Sequence, residues 1–179
     1  MAILSENEIK RNCVLRIAEE MMLAARTAPK GRGMDFLEMI IVDGDTIALL
    51  SDKMSEIGAR LPNGQAFSRD ALNIKQAEVM VLIGTRFGSL GLGYCGLCGF
   101  ENCAAKELHP EMPCAFNTGD LGIAIGSAVS IAMDHRVDNR IMYTVGMAAK
   151  ELGLMGNDVK IIYGIPLSAS SKNVFFDRK

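Results

Sequence analysis

The sequence lacks the features typical of membrane proteins and of general nucleic-acid binders. It has no run of about 18 apolar residues, so we expect no membrane-spanning helix. The 19 Lys and Arg residues are scattered among 21 Asp and Glu, which leaves a formal net charge of -2 and no basic stripe. Because nucleic-acid binding without sequence preference requires a concentrated positive field, we expect no nucleic-acid partner.

The N-terminal residues also lack the apolar core and the small-residue cleavage site of a secretory signal peptide. We therefore expect a cytoplasmic protein, in which thiols are kept reduced. No P-loop, internal repeat or low-complexity segment is present in the sequence. Clustered cysteines in such a chain indicate metal ligands or redox groups before they indicate disulfides.

The composition that is present is that of a globular protein. The 179 residues are 49% hydrophobic and 22% charged, and a chain of this length buries enough apolar surface to fold without disulfides. We predict one domain over residues 1–179, with a distinct segment over residues 84–119. That segment holds seven glycines, two prolines and four of the five cysteines, which is typical of an inserted or elaborated loop.

The hydrophobic pattern predicts both helices and strands. Ser5 and Glu8 form a capping-box pattern at the start of the first helix. The predicted elements are a helix over 5–29, strands over 37–42 and 47–50 joined by an Asp-Gly turn, helices over 53–60 and 68–75, a buried strand over 79–83, a helix from Asp120 rich in small residues, a helix ending at Leu152, a strand over 159–163 and an irregular tail. Since strands and helices alternate without strict βαβ order, we predict an α+β fold or a mixed α/β sandwich.

The cysteines of the central segment have the spacing of metal ligands. Cys95, Cys98 and Cys103 form a C-x2-C-x4-C pattern, and Cys114 follows after ten further residues. Two cysteines separated by two residues can direct both sulfurs at one metal centre, and Gly96 between them frees the backbone to curl around it. A [4Fe-4S] cluster needs four ligands, and these four cysteines are the candidates.

Other interpretations of the same residues stay open. A four-thiolate site also suits Zn²⁺, although zinc sites usually have two C-x2-C pairs and this sequence has one. His109 is either a replacement ligand or a loop residue beside the cluster. His135 is either a base beside Asp134 and Asp138 or part of a helix-capping surface corner. Cys13 stands apart on the apolar side of the first helix and is expected to be a small core residue.

The cysteine pattern resembles a known domain. Residues 93–114 resemble the ferredoxin-like [4Fe-4S] domain of electron-transfer proteins, whose motif is C-x2-C-G-x3-C with a more distant fourth cysteine. Cys95, Cys98, Gly99 and Cys103 match that motif, whereas the gap to Cys114 is shorter than in the best-known members. The whole chain resembles a small prokaryotic family of uncharacterised proteins that contain a ferredoxin domain.

Outside the cysteines, the layout resembles flavin-dependent nitroreductases. Residues 25–31 (ARTAPKG) resemble their A-R-x-A-P-S-G turn, residues 148–154 (AAKELGL) their AAxxLGLG helix end, and residues 162–166 (IYGIP) their strand ending in G-x-P. The early R-x-S-x-R motif that binds the flavin phosphate in that family is missing here. The resemblance implies a nitroreductase-like α-β-α sandwich with an inserted cysteine-rich iron–sulfur loop, a homodimer, and FMN near Arg26, Thr27, Pro29, Lys30 and Gly31.

These observations lead to one functional hypothesis and one alternative. The hypothesis is an iron–sulfur redox protein that transfers electrons through a [4Fe-4S] cluster, coupled to a flavin if it is an FMN-dependent oxidoreductase. The sequence identifies neither the substrate nor the electron donor and acceptor, whether protein or small molecule, and it assigns no catalytic residue. The alternative is a non-enzymatic module in which zinc or an iron–sulfur cluster orders the segment over residues 84–119.

Overall fold

The four strands form one sheet, and helices pack against both of its faces. The computed structural model describes residues 3–177 of the chain. Its helices and strands are α1 (Glu6–Thr27), β1 (Leu37–Asp43), α2 (Gly44–Arg60), α3 (Gln65–Ile74), β2 (Val79–Arg86), α4 (Cys103–Glu107), α5 (Ala115–Asp134), β3 (Asp138–Asn139), α6 (Tyr143–Glu151) and β4 (Val159–Ser168). None of the helices in this described part is long and apolar enough to cross a membrane.

The sheet has the strand order β1-β2-β4-β3, and every neighbouring pair is antiparallel. Strand β2 lies inside the sheet and is buried from Val79 to Thr85. Its alternate side chains point to opposite faces. Val81 and Ile83 join the core formed with α1 and α5, whereas Met80 and Leu82 join the core formed with α2, α3 and α6. The fold is therefore a three-layer α-β-α sandwich, as predicted.

Helices α1 and α5 pack together on one face of the sheet. Val14, Ala18, Met21 and Ala25 of α1 recur at helical spacing and are fully or almost fully buried. The small residues of α5 have two different environments. Ala124 and Ala128 are buried in this core, as the sequence predicts, but a Cβ atom added to Gly122 or Gly126 would meet nothing within 4 Å.

The predicted hairpin over residues 37–50 is wrong in its second half. Residues 37–42 form a strand, but residues 47–50 belong to helix α2, which begins directly after β1 at Gly44. The Asp43-Gly44 pair is therefore a strand-to-helix junction, with Gly44 at φ 44°. The helix is formed because its buried residues recur at helical spacing, which needs a longer window than four residues to detect; they are Ile47, Leu50, Met54 and Ile57.

Several predicted boundaries also need correction. Helix α5 begins at Ala115, five residues before the predicted Asp120, and β4 continues to Ser168, into the tail that was expected to be irregular. Helix α3 begins at Gln65, so Ser68 does not cap it. In the tail, Phe175 is fully buried and Phe176 is 54% exposed, so one of the two packs into the core. The Glu8 side chain of the predicted capping box lies outside the described residues.

Candidate metal centre

The four candidate ligands lie on the chain between β2 and α5. Strand β2 ends at Arg86 and α5 begins at Ala115, and α4 is the only helix or strand that the described chain forms between them. Cys95 and Cys98 lie in irregular backbone, Cys103 is the first residue of α4, and Cys114 is the N-cap residue of α5. Cys95, Cys98 and Cys103 are half-buried and Cys114 is buried, and all four are free thiols.

Glycines shape the backbone around the first pair of cysteines. Gly96 has φ 119° and Gly99 has φ 87°, a region that residues with a side chain rarely adopt. The amide of Gly99 donates a hydrogen bond of 2.9 Å to the carbonyl of Gly96, which closes a tight turn around Cys98. The prediction that glycines curl the chain at the C-x2-C pair agrees with this geometry.

Helix α4 follows this turn and begins at the third cysteine. Asn102 is its N-cap residue, and the Asn102 side chain accepts a hydrogen bond of 2.9 Å from the amide of Ala105. His109, beyond the helix, stacks on the Phe100 ring at 5.2 Å between centroids, and its Nδ1 lies 3.5 Å from a Glu111 carboxylate oxygen. His109 is therefore a surface residue of the segment in this conformation.

The fourth cysteine is held by Asn117. The backbone amide of Cys114 donates to Asn117 Oδ1 at 3.0 Å, and the backbone amide of Asn117 donates to the Cys114 carbonyl at 2.9 Å, so the two residues bond each other at the start of α5. The same Oδ1 accepts from the amide of Gly88 at 3.1 Å. One side chain thus holds Gly88, two residues after β2, and Cys114, the N-cap residue of α5.

The segment contains buried polar atoms that lack a partner. Within residues 3–177, the buried side-chain atoms without a hydrogen bond include Asn117 Nδ2 and Ser89 Oγ. Asn117 is 1% exposed. A buried donor without an acceptor costs free energy, so native proteins seldom leave one unpaired. An anionic, sulfur-rich group held by the nearby cysteines would supply acceptors, so the residues of this segment fit a thiolate-ligated metal centre.

The structure does not bring the four thiols to one point. Among the described residues, no three Cys, His, Asp or Glu side chains form a group that could hold a metal ion. Thiols have no attraction for one another without a metal, and metal binding commonly orders the segment that supplies the ligands. The ligand set Cys95, Cys98, Cys103 and Cys114 therefore stays a prediction from their spacing.

The turn predicted to bind flavin has its cations already engaged. Arg26 Nη1 lies 2.7 Å from an Asp35 carboxylate oxygen and 3.2 Å from the Leu37 carbonyl oxygen. Lys30 Nζ donates to the carbonyls of Ala25 and Arg26, both at 2.6 Å, and so caps the end of α1. These bonds hold the turn together, and the flavin site at Arg26, Thr27, Pro29, Lys30 and Gly31 stays a prediction.

The pKa values of Lys30 and Asp35 in this turn are both lowered, for different reasons. Burial of the Lys30 ammonium lowers its pKa, and the neighbouring Arg26 charge adds to that effect, against the opposing attraction of Asp35 and Asp120. Partial burial disfavours the charged form of Asp35, but the hydrogen bond from Arg26, the Leu37 amide and the nearby positive charges outweigh it and lower the pKa of Asp35.

The remaining residues of the turn connect it to the cysteine segment. The Gly31 amide donates to Asp120 Oδ2 at 3.0 Å, and Arg32 Nη1 donates to the Leu90 carbonyl at 2.7 Å. Thr27 Oγ1 donates to the Leu23 carbonyl at 3.1 Å within α1, and Pro29 is exposed. The turn is thus bonded to Leu90, which lies before the first cysteine of the segment, and to Asp120 of α5, which lies after the last one.

An open cleft of about 690 Å³ borders the cysteine segment. Its walls come from residues 84–119 and from α6 and β4, and they include Phe87, Pro110, Glu111, Pro113, Lys150 and Lys160. Elsewhere on the surface, Cys13 accepts a hydrogen bond of 3.4 Å from Arg16, and His135 pairs with Glu20 at 3.2 Å. His135 follows α5 as its C-cap residue, which agrees with a surface corner.

Sequence reasoning missed two polar residues of this segment. Asn117 lies three residues after Cys114, and Lys106 lies three residues after Cys103; both are buried. The signal for Asn117 was the N-cap spacing, since a side chain at the third helical position often bonds back to the N-cap amide. No sequence signal marks Lys106, because lysine is ordinarily exposed.

The fold is that of the nitroreductases. A nitroreductase with bound FMN from Bacteroides fragilis NCTC 9343 matches with a TM-score of 0.64 at 11% identity, over 92% of this chain and 81% of that one. A nitroreductase with bound FMN from Desulfitobacterium hafniense DCB-2 matches with a TM-score of 0.60 at 14% identity, over 96% and 81%. A BluB-like flavoprotein from Clostridium difficile 630 gives 0.57 at 18% identity, over 97% and 88%. At these identities the likeness shows the fold alone.

Two sequence comparisons bear on the family. A family model described as "uncharacterized protein containing a ferredoxin domain" matches residues 111–178, a range that includes Cys114 but not the other three candidate ligands. An uncharacterised protein of Archaeoglobus fulgidus is 38% identical over 184 residues, which cover 98% of this chain and 97% of that protein. The chain therefore belongs to one family with the Archaeoglobus fulgidus protein, and its C-terminal part carries the match to the ferredoxin-domain proteins.

Proposed function

We propose that this protein is an iron–sulfur redox protein in which Cys95, Cys98, Cys103 and Cys114 hold a [4Fe-4S] cluster. The observation that carries the proposal is the set of four free cysteines within the 28 residues between β2 and α5, beside buried polar atoms that lack a partner. A bound cluster supplies one-electron redox chemistry. The family match to ferredoxin-domain proteins and the nitroreductase-like fold support a redox function.

The surrounding residues suit such a centre. The turn at Gly96 and Gly99 brings backbone amides close to the first two cysteines, and hydrogen bonds from amides to sulfur stabilise the negative charge of a cluster. Cys114 is the N-cap residue of α5, and the partial positive charge at the N-terminus of a helix attracts an anionic group such as a cluster. We place the protein in the cytoplasm, because a reducing compartment keeps these thiols available as ligands.

Metal analysis of anaerobically purified protein tests this proposal. We expect about four iron and four sulfide per chain and a broad absorption near ~400 nm that bleaches on reduction, as thiolate-ligated clusters show. One zinc per chain without sulfide would instead support the alternative of a structural metal module. A colourless protein that takes up neither metal on reconstitution would contradict both.

A flavin-dependent oxidoreductase is the second candidate function. It is favoured by the fold, because nitroreductases from Bacteroides fragilis and Desulfitobacterium hafniense that share it contain bound FMN. In the 26–31 turn, Arg26 is bonded to Asp35 and Lys30 is bonded to the end of α1. An FMN phosphate would therefore compete with these bonds or bind to other cations.

An FMN titration decides between the two functions. We expect FMN fluorescence to stay unquenched when apoprotein is added at low micromolar concentration, because a phosphate dianion needs unpaired cationic donors. The titration is followed by fluorescence, with the Arg26→Ala variant alongside. Saturable quenching that weakens in Arg26→Ala would show that the turn opens to bind the phosphate, and it would favour the oxidoreductase.

We also propose that the protein is a homodimer. Helix α5 is apolar on more than its buried face, and Ile123 is 50% exposed. Next to it lies an apolar groove of about 360 Å³ whose walls include Gly122, Gly126, Ile141 and Tyr163. A second copy is the occupant that the sequence resemblance to the nitroreductases implies, because that resemblance implies a homodimer. Small residues on a helix allow another helix to approach closely, and an obligate dimer usually buries more than ~2,000 Å².

Light scattering tests the dimer. We expect twice the 19.3 kDa monomer mass at micromolar concentration. Gly126→Arg should give the monomer mass without loss of helical signal, because an added Cβ at Gly126 meets nothing within 4 Å in its own subunit. Leu72→Arg, at a 65% exposed position of α3, is the control and should stay dimeric. A monomeric parent protein would contradict the proposal.

A further inference from the structure

Lys106 is a buried lysine in the middle of the cysteine segment. It lies in α4 at a position three residues after Cys103, and it is only 4% exposed. Lysine is almost never buried without a partner, because removing an ammonium from water is costly. Among the described residues, no hydrogen bond or ion pair reaches the Lys106 ammonium, and only its backbone atoms are bonded, to Asn102 and His109.

The other cations around the segment do not share this state. Lys30 donates to the carbonyls at the end of α1, and Arg32 donates to the Leu90 carbonyl. The acidic residues near Lys106 do not neutralise it either. Glu101, Glu107 and Glu111 are exposed, and Glu111 pairs with His109. The Lys106 side chain is therefore almost wholly buried, and the described residues supply no counter-charge to its ammonium, which is not itself among the fully buried atoms.

Asn117 repeats the same pattern at the fourth cysteine. Its Nδ2 is buried without an acceptor, while its Oδ1 bonds the amides of Cys114 and Gly88. Residues three apart on a helix lie on the same side. Lys106 is thus on the same side of α4 as Cys103. Asn117 is the third residue of α5, whose N-cap residue is Cys114. Two unpartnered donors each accompany one candidate ligand.

We propose that Lys106 is the charge-compensating residue of the metal centre and that Asn117 Nδ2 is a hydrogen-bond donor to its sulfur atoms. The inference rests on the proposed iron–sulfur function. Four thiolates and the sulfides of a cluster carry net negative charge, and one-electron reduction by an external donor makes that charge more negative without forming or breaking a bond. A nearby ammonium stabilises the reduced form more than the oxidised form, so Lys106 raises the reduction potential. Lys106 is a positioning residue in this sense and not a metal ligand.

The Lys106→Met variant of the full chain tests the inference after anaerobic reconstitution. Iron and sulfide are measured first, and the reduction potential is then measured by spectroelectrochemical titration. We expect full iron content and an equilibrium constant for reduction about tenfold lower, which is about 59 mV for a one-electron couple. Lys106→Arg keeps the charge and should stay within about 20 mV of the parent, which is a little over a twofold change. Lys75→Met removes the same charge from the exposed end of α3 and should not shift the potential.

The outcomes separate this inference from the function on which it rests. If the parent protein binds no iron or sulfide, the iron–sulfur function itself fails. If the parent and Lys106→Met bind iron equally and have the same potential, the role of Lys106 is refuted and the function stands. If Lys106→Met fails to retain the cluster, Lys106→Arg decides: a normal cluster and potential support the charge role, and loss of the cluster there overturns it.

Discussion

Replacement of Cys98 by serine is expected to remove the iron of the anaerobically reconstituted protein, to about a tenth of the parent content or less. Cys98 lies within the tight turn that the Gly99 amide closes on Gly96. We expect no other residue to take its place as a ligand, because the turn fixes its backbone. A serine hydroxyl is not ionised near neutral pH and is a poor ligand for iron, whereas cysteine binds metals as the thiolate. Iron and sulfide analysis with the absorption near ~400 nm measures the result.

Cys13→Ser is the matched control for this change. Cys13 lies in α1, outside the cysteine segment, and its sulfur accepts a hydrogen bond from Arg16. The control should bind as much iron as the parent, because a half-buried thiol on that helix is expected only to fill space. Full iron content in Cys98→Ser would show that the proposed ligand set is wrong.

Gly146→Ala is expected to destabilise the fold by about 3 kcal/mol, although alanine is the better helix former. In an exposed helix the change would stabilise by about 1 kcal/mol. Gly146, however, lies where α6 crosses β4, and an added Cβ would stand 1.6 Å from the carbonyl oxygen of Ile162. Backbone atoms of a strand inside the sheet cannot move aside cheaply, so the steric cost exceeds the helix gain. Thermal unfolding followed by circular dichroism should show a drop of about 10 °C.

Met147→Ala, at the next position of the same helix, serves as the control. Met147 is 45% exposed, so its loss should change the stability by about 1 kcal/mol or less. The pair separates the close contact between α6 and β4 from any general sensitivity of the helix. Unfolding of Gly146→Ala at or above the parent temperature would mean that α6 does not lie against Ile162 as described.

The sequence contains enough information to predict the layers of the fold but not every junction. Strand β2 could be predicted because consecutive apolar residues from Val79 to Ile83 are buried on both faces. The α2 helix was predicted as a strand over residues 47–50 because Asp43-Gly44 is also the commonest signal of a hairpin turn. The helical spacing of Leu50, Met54 and Ile57 would have corrected that prediction, since it extends past the end of any hairpin strand.

Candidate site residues could be predicted from the sequence only where their spacing alone indicates metal binding. The C-x2-C-x4-C pattern identifies Cys95, Cys98 and Cys103 as candidate ligands without any structure. The engagement of Arg26 with Asp35 depends on how the chain returns after α1, which the turn motif does not record. Likewise, the burial of Lys106 depends on how the segment packs, and a lysine in a sequence is expected to be exposed.

Asn117 Oδ1 accepts two hydrogen bonds, from the amides of Gly88 and Cys114, and this has a consequence for the length of the chain between them. Because both amides reach one oxygen atom, the intervening residues leave and re-enter the sandwich at the same place. Closing a longer or shorter loop between two such fixed points costs little extra free energy, since the entropy of closure changes slowly with length. Changes of length between Gly88 and Cys114 are therefore expected to cost the sandwich little stability.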